Sequence, residues 1–427
     1  MKKILLSLIP LLFAQPASAA GPAVVLTASA TSSAPGSSPV ACLLDAACQG
    51  SWTPGSADYG VDEGLFVQFE QPVAAQAVEI ALPSPNKIES YALKVYVNGK
   101  TKDGQGKYYA AVKDEQNAGL LKIVRQDRPY AEPGMPLQEP IKSLFLKVDL
   151  APPSSEAAEK IKIQKIRLMQ GGQPVALTLP VLQPAQVSAT SVLDPQTAYH
   201  PAHLFDAKAD FAWSTDGKRN DGKGESARIR FATPQNIASL IVWNGYQRSE
   251  MHFHANSRVK SLELKPANGA AQTVALTDTM GAQRVALPAP LTGVSDLTLT
   301  IRDVAPGTKY KDTLISELRF VTPQGQILLP DADLPKPQAP ATWSGLVDRS
   351  YSSFLFQPAA CKDCAQDEFG VDFPRQRLRL RSDGSFVIYK YSEVQKSDSR
   401  ESPTNQSADV LEGNWEPVPA GIRIFGK

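Results

Sequence analysis

The chain repeats itself, and few folds tolerate the way it does so. Leu43-Leu44-Asp45-Ala46 leads to Trp52, and Leu204-Phe205-Asp206-Ala207 leads to Trp213. Leu65-Phe66-Val67-Gln68-Phe69, then a proline and an apolar stretch ending near Leu82, parallels Ala227 to Phe231, Pro234 and Ile237 to Trp243. Leu144 to Leu150 matches Leu297 to Ile301, and Ile161 to Leu168 matches Leu314 to Phe320. Features recurring in one order at comparable spacing mean two copies of one unit. Within each copy apolar residues alternate with polar ones, as at Leu144, Leu146, Val148 and Leu150. A period of two lays one face of a strand on a core. Strands every ten residues or so make β-sandwiches. The fold class expected is all-β.

At 427 residues the chain exceeds a single core. The division expected is 1–20 as a signal peptide, 22–175 and 185–323 as the two sandwiches, 324–342 as a Pro-rich linker and 343–427 as a small β domain. Met1-Lys2-Lys3, the apolar run Ile4 to Phe13 and Ala17-Ser18-Ala19 have the form of a secretory signal cleaved near Ala19-Ala20. A periplasmic or secreted protein follows, and no later segment reaches the ~20 apolar residues of a membrane helix. Pro180 to Pro184 and Leu328 to Thr342 read as connectors. Leu378 to Arg381 and Ser385 to Ile388, joined by Ser382-Asp383-Gly384, read as a hairpin, with two more strands at 413–416 and 421–424. The last unit is therefore a small antiparallel β-meander or partial barrel. The whole chain's 35 prolines and 5 methionines suit many short strands better than helices, and Ser154 to Lys160 is at most one short helix.

Lysines and arginines number 44 against 43 acids, which gives no reason to expect nucleic acid or an anionic membrane as partner. The cysteines form close pairs, Cys42 with Cys48 and Cys361 with Cys364. In an exported protein both read as disulfides. A zinc ribbon needs a second pair at matching spacing, and a redox motif belongs at a helix start rather than in a polar loop.

Asn244-Gly245-Tyr246, Ser249, Asn256-Ser257-Arg258-Val259-Lys260, Ile301-Arg302-Asp303-Val304, Pro306-Gly307-Thr308-Lys309-Tyr310, Asp312-Thr313 and Ile315-Ser316-Glu317 together resemble the NADase-type glycan-binding domain. That family is related to the discoidin (F5/8 type C) jelly rolls, and the resemblance covers roughly Val187 to Val321. The first copy resembles only the general discoidin pattern, and the last unit is weakly similar to lipocalin-like β domains. The fold expected is thus tandem discoidin-like jelly-roll β-sandwiches followed by the meander. The first copy lacks the ligand-type segments and is expected to contribute packing and spacing. Relatives often carry an Asp-Gly-Asp-x-x-Thr-x-Trp hairpin that binds calcium with a late Glu. Here Lys208 replaces the second acid and Phe211 the hydroxyl, so the resemblance implies that calcium is lost and that Lys208 pairs with Glu317 instead. No metal and no cofactor are expected.

The resemblance implies carbohydrate binding. Sugar recognition needs a flat aromatic face and nearby planar polar groups. The candidate ligand-binding residues are Trp243, Asn244, Tyr246, Asn256, Arg258, Tyr310 and Asp312. Phe253 lies among them. Each has a structural alternative: Trp213 reads as core, Gly245 and Gly307 as turn residues, Asn256 and Arg258 as fixing a strand edge. Tyr246 and Tyr310, flanked by polar and Gly residues, stay open between site and framework. His252 and His254 would share a strand face at metal-ligand spacing, but nothing completes a site, so His200, His203, His252 and His254 are read as surface residues. No G-x-S-x-G, HExxH or P-loop occurs. The expectation is an exported non-catalytic binding protein. The alternatives are a periplasmic scaffolding or protein–protein interaction subunit and, behind it, an accessory part of an enzyme system. The partner expected is a glycan, an envelope polysaccharide or a protein.

Overall fold

The computed structural model describes residues 21–56, 63–83, 93–98, 107–113, 119–125, 137, 139–148, 160–209, 211–338, 347–352, 371–395, 406–419 and 421–425. The signal-peptide reading, Cys361 and Cys364, and the helix expected at Ser154 to Lys160 lie outside the described residues, apart from Lys160. Among the described residues there are three sheets: one of ten strands between Ala23 and Thr178, one of eight between Val181 and Asp331, and one of five between Arg349 and Phe425. The chain is all-β.

The repeat is real down to single hydrogen bonds. Trp52 and Trp213 are both fully buried. Trp52 bridges Ile163 and Trp213 pairs with Ile315, each at the start of a strand rich in apolar residues. The Trp52 indole N–H donates to Ser32 O at 2.9 Å and that of Trp213 to Ser191 O at 3.2 Å. Thr31 N–H donates to Gly64 O at 3.0 Å and Thr190 N–H to Ser226 O at 2.9 Å. The alternation works as expected: in Ile141–Val148 the residues Ile141, Leu144, Leu146 and Val148 are buried, and in Ala282–Ala305 so are Leu297, Leu299 and Ile301. Each copy closes around its own core.

Two sequence-based expectations change. Ile327–Asp331, read as the start of a linker, is a strand parallel to Val181–Ala189, pairing Leu328 with Val181. Val181–Ala189 itself begins inside the supposed first connector. Both segments alternate apolar residues through their prolines, and Pro184 and Pro330 are each paired on one side only, as proline in a sheet requires. His252 and His254 lie on a short helix, Glu250–Ala255, capped by the Ser249 side chain, so they share no strand face.

Cys42 and Cys48 are disulfide-bonded. Among the described residues no helix is long and apolar enough to cross a membrane.

The units interlock. Leu26 of the first strand, Ala23–Ala30, is buried with Ile241, Trp243, Val321 and Ile327 of the second copy. Arg284 reaches Glu70 through two hydrogen bonds of 2.6 and 2.9 Å. The third unit sends Arg379 and Arg381 to Glu63 of the first copy, and Asp383 to Lys208 of the second. Its own small core holds Leu380, Phe386 and Trp415. The Ser-Asp-Gly turn forms as expected, with Gly384 at φ +89, a value that suits glycine.

Candidate functional site

At one end of the second copy, three loops meet: residues 245–256, 277–281 and 306–312. Arg258 ties them together. Its guanidinium takes both oxygens of Asp278 at 2.9 and 2.7 Å and donates to Asn256 O and Pro306 O at 3.0 Å. Asp278 is held below the usual carboxylate range by that guanidinium. Asn244 clamps backbone, donating to Val259 O at 2.7 Å and accepting from Val259 N–H at 3.0 Å. Asn256 donates to His252 O at 2.7 Å, closing the C-terminus of the short helix. Glycine is required twice. A Cβ on Gly245, at φ +70, would lie 2.5 Å from Arg258 Cγ, and one on Gly307 would lie 2.5 Å from Ala255 O. Gly307 thus serves close approach of two loops rather than a left-handed turn.

The predicted ligand residues separate on this geometry. Trp243 is only 4% exposed, under the Arg319 guanidinium at 5.2 Å. Tyr246 is buried, its hydroxyl accepting from Arg248 at 3.0 Å, and burial raises its pKa. Asn244, Asn256 and Arg258 are buried and spent on the framework just described. A sugar cannot stack on a ring already covered, and the structure places Trp243, Asn244, Tyr246, Asn256 and Arg258 buried within the framework of this end. Asp312 is partly buried, and burial pushes its carboxyl up.

Tyr310 is different. It is 44% exposed, yet its backbone is pinned: Thr308 N–H donates to His254 O, and Lys309 and Tyr310 N–H to Ala255 O, at 2.8 to 3.0 Å. Lys309 Nζ sits 4.9 Å from its ring centroid. Exposed Met251 and Met280 stand on the two neighbouring loops. This end therefore presents to solvent an aromatic ring on a pinned backbone and two apolar side chains. Two clefts lie elsewhere, of ≈590 and ≈560 Å³, where the third unit meets the sandwiches, and neither includes a residue of the three loops.

The segment before Trp213, which begins as a 3-10 helix over Pro201–Phe205, also differs from expectation. Lys208 pairs with Asp383, not with Glu317. Glu317 instead accepts from Arg319 at 2.6 Å, because Arg319, fully buried at the joint with Leu26, needs the nearer anion. His203 Nε2 lies 2.9 Å from Thr197 O, which can only accept, so Nε2 carries the proton. Burial depresses His203 to about 4. Burial raises the Asp206 carboxyl to about 7, and its Oδ2 lies 2.7 Å from His203 Nδ1. Asp206 is thus spent on His203 and Glu317 on Arg319. Among the described residues no cluster of His, Cys, Asp and Glu is arranged to hold a metal ion.

Sequence reasoning missed the anchor at Thr31 and Glu63. Glu63 is fully buried; burial pushes its carboxyl up, but Arg381, Arg379 and the Thr31 hydroxyl together bring it down to about 2. The signal was present: Ser29-Ala30-Thr31-Ser32 recurs as Ser188-Ala189-Thr190-Ser191.

Residues 180–321 match the family model of the NAD glycohydrolase translocation F5/8 type C domain. Among solved structures, the CBM32-1, CBM32-2 and M60 catalytic domains of Clostridium perfringens ZmpB align at 9% identity and TM-score 0.26, covering 70% of this chain and 37% of that one. The F5/8 type C domain of a Bacteroides fragilis protein aligns at 16% identity and TM-score 0.26, covering 32% and 89%. The family 32 CBM of Clostridium perfringens NanJ, in complex with galactose, aligns at 16% identity and TM-score 0.25, covering 32% and 92%. No curated protein matches the chain.

Proposed function

We propose that this is an exported, non-catalytic protein that binds carbohydrate through the loop end of its second sandwich, with the first sandwich, the second and the C-terminal meander as successive domains. The observation that carries the reading is Tyr310: an aromatic ring left exposed but held by backbone hydrogen bonds from its own loop to the helix beside it. An exposed ring on a pinned backbone offers its face to the CH side of a pyranose with less backbone entropy left to lose. The galactose named with the NanJ module belongs to that protein, and the sugar class here is read from this chain's own surface. The Cys42–Cys48 bridge supports an oxidising compartment.

A glycan array probed with the full chain tests the reading. Binding should concentrate on a defined set of glycans and fall at least ten-fold for Tyr310→Ala, with the melting temperature unchanged. An array with no glycan above background would remove it.

A further inference from the structure

The two copies carry the same acid anchor, but only one is occupied. In the first copy Gly64 N–H donates to Thr31 Oγ1 at 2.9 Å, Val148 N–H donates to Glu63 O at 2.8 Å, and the Thr31 hydroxyl donates to the Glu63 carboxylate. In the second, Ser226 N–H donates to Thr190 Oγ1 at 2.8 Å, Ile301 N–H donates to Glu225 O at 2.9 Å, and the Thr190 hydroxyl donates to the Glu225 carboxylate. Bond for bond, these are equivalent sites.

What fills the first is a strand end of the third unit. Arg379 and Arg381 flank Leu380, so both guanidiniums fall on one side while Leu380 turns into the third unit's core. Arg379 Nη1 bonds to Glu63 Oε1, and Arg381 Nε reaches the same oxygen at 3.3 Å. Glu225 is only 8% exposed, yet among the described residues no Lys, Arg or His nitrogen comes within ion-pair distance of it. Where Glu63 takes a hydroxyl and two guanidiniums, Glu225 takes the Thr190 hydroxyl. Beside it Thr190 is exposed, whereas Thr31 is partly covered, so the second anchor stays open to an incoming chain.

We propose that Glu225 and Thr190 form a docking site for a partner protein that presents an Arg-x-Arg strand end with an apolar residue between the arginines. The occupant's chemistry is taken from the molecule's own filled copy. The chain's own third unit is already committed to Glu63, so the partner is a different protein rather than a rearrangement of this one.

The probe is a hairpin peptide of the sequence Gln376–Lys390, whose ends pair across the native register, closed by a disulfide between added terminal cysteines. Titrated into the full chain, it should bind one-to-one. Glu225→Gln should weaken it at least ten-fold, as should Thr190→Val, and Lys in place of both peptide arginines should abolish binding, because a point charge lacks the planar fork. Both protein variants should melt like the wild type. No binding, or binding indifferent to Glu225→Gln and Thr190→Val, overturns the proposal. So does a concentration-dependent dimer of the wild type that Glu225→Gln dissolves, since the occupant would then be a second copy of this chain.

Discussion

Glu63→Ala should destabilise the protein by about 3–5 kcal/mol and loosen the third unit from the first sandwich. Removing one partner of a buried ion pair is strongly destabilising, and here the carboxylate is lost from beside two buried guanidiniums, Arg379 at 1% exposure and Arg381 at 8%. Trp415, buried in the third unit's core with its indole N–H on Arg381 O at 2.8 Å, reports the loss. Its fluorescence midpoint in denaturant should shift, and proteolysis should clip the third unit first. The pH dependence has a definite sign. Glu63 is lowered from 4.5 to about 2 on folding, so its contribution is complete above pH 4.5 and is lost as pH falls through 2. Asp206 works in the opposite sense: raised from 3.8 to about 7 by burial, it costs stability progressively as pH rises from about 4 to 7. Asp206→Asn should flatten that slope while leaving the acid limb set by Glu63. A Glu63→Ala protein as stable as the wild type at pH 7 would show that the clasp contributes nothing.

The second large effect belongs to the tryptophans. Trp52→Ala and Trp213→Ala should each cost about 3–5 kcal/mol, the range for truncating a buried aromatic. Each ring is fully buried, pairs across to the apolar strand of its own copy and spends its N–H on a backbone carbonyl. Since the positions are equivalent, the two losses should be similar. Denaturant unfolding of the two variants measures this, and a cost below ~1 kcal/mol at either site would mean that the copies do not close in the same way.

The repeat was legible because it is written in local order: the Leu-Phe-Asp-Ala segment, its Trp, and period-two strands follow one another along the chain. The hairpin turn at Ser382-Asp383-Gly384 was legible for the same reason, since turn residues carry their backbone preference with them. The candidate site was only partly legible. Its loops were found through the motif, but the sequence could not say which aromatic faces water. Trp243 is covered from the first copy by Val24 and Leu26, far away along the chain. Tyr246 packs with Ala212, Leu314 and Tyr199 of its own copy, all distant along the chain. Burial imposed by residues far away in sequence leaves no local signature. Lys208 illustrates the same limit. Its neighbourhood in one sandwich suggested Glu317, while its partner Asp383 comes from another unit altogether.

The central claim is that Tyr310 meets the sugar. Calorimetry with the full chain and the strongest array glycan compares wild type, Tyr310→Phe and Tyr310→Ala at equal salt. The account predicts that Phe keeps the affinity within about three-fold while Ala loses at least ten-fold, about 1.4 kcal/mol, because the ring face carries the contact. An Ala variant that binds as tightly as the wild type would contradict it.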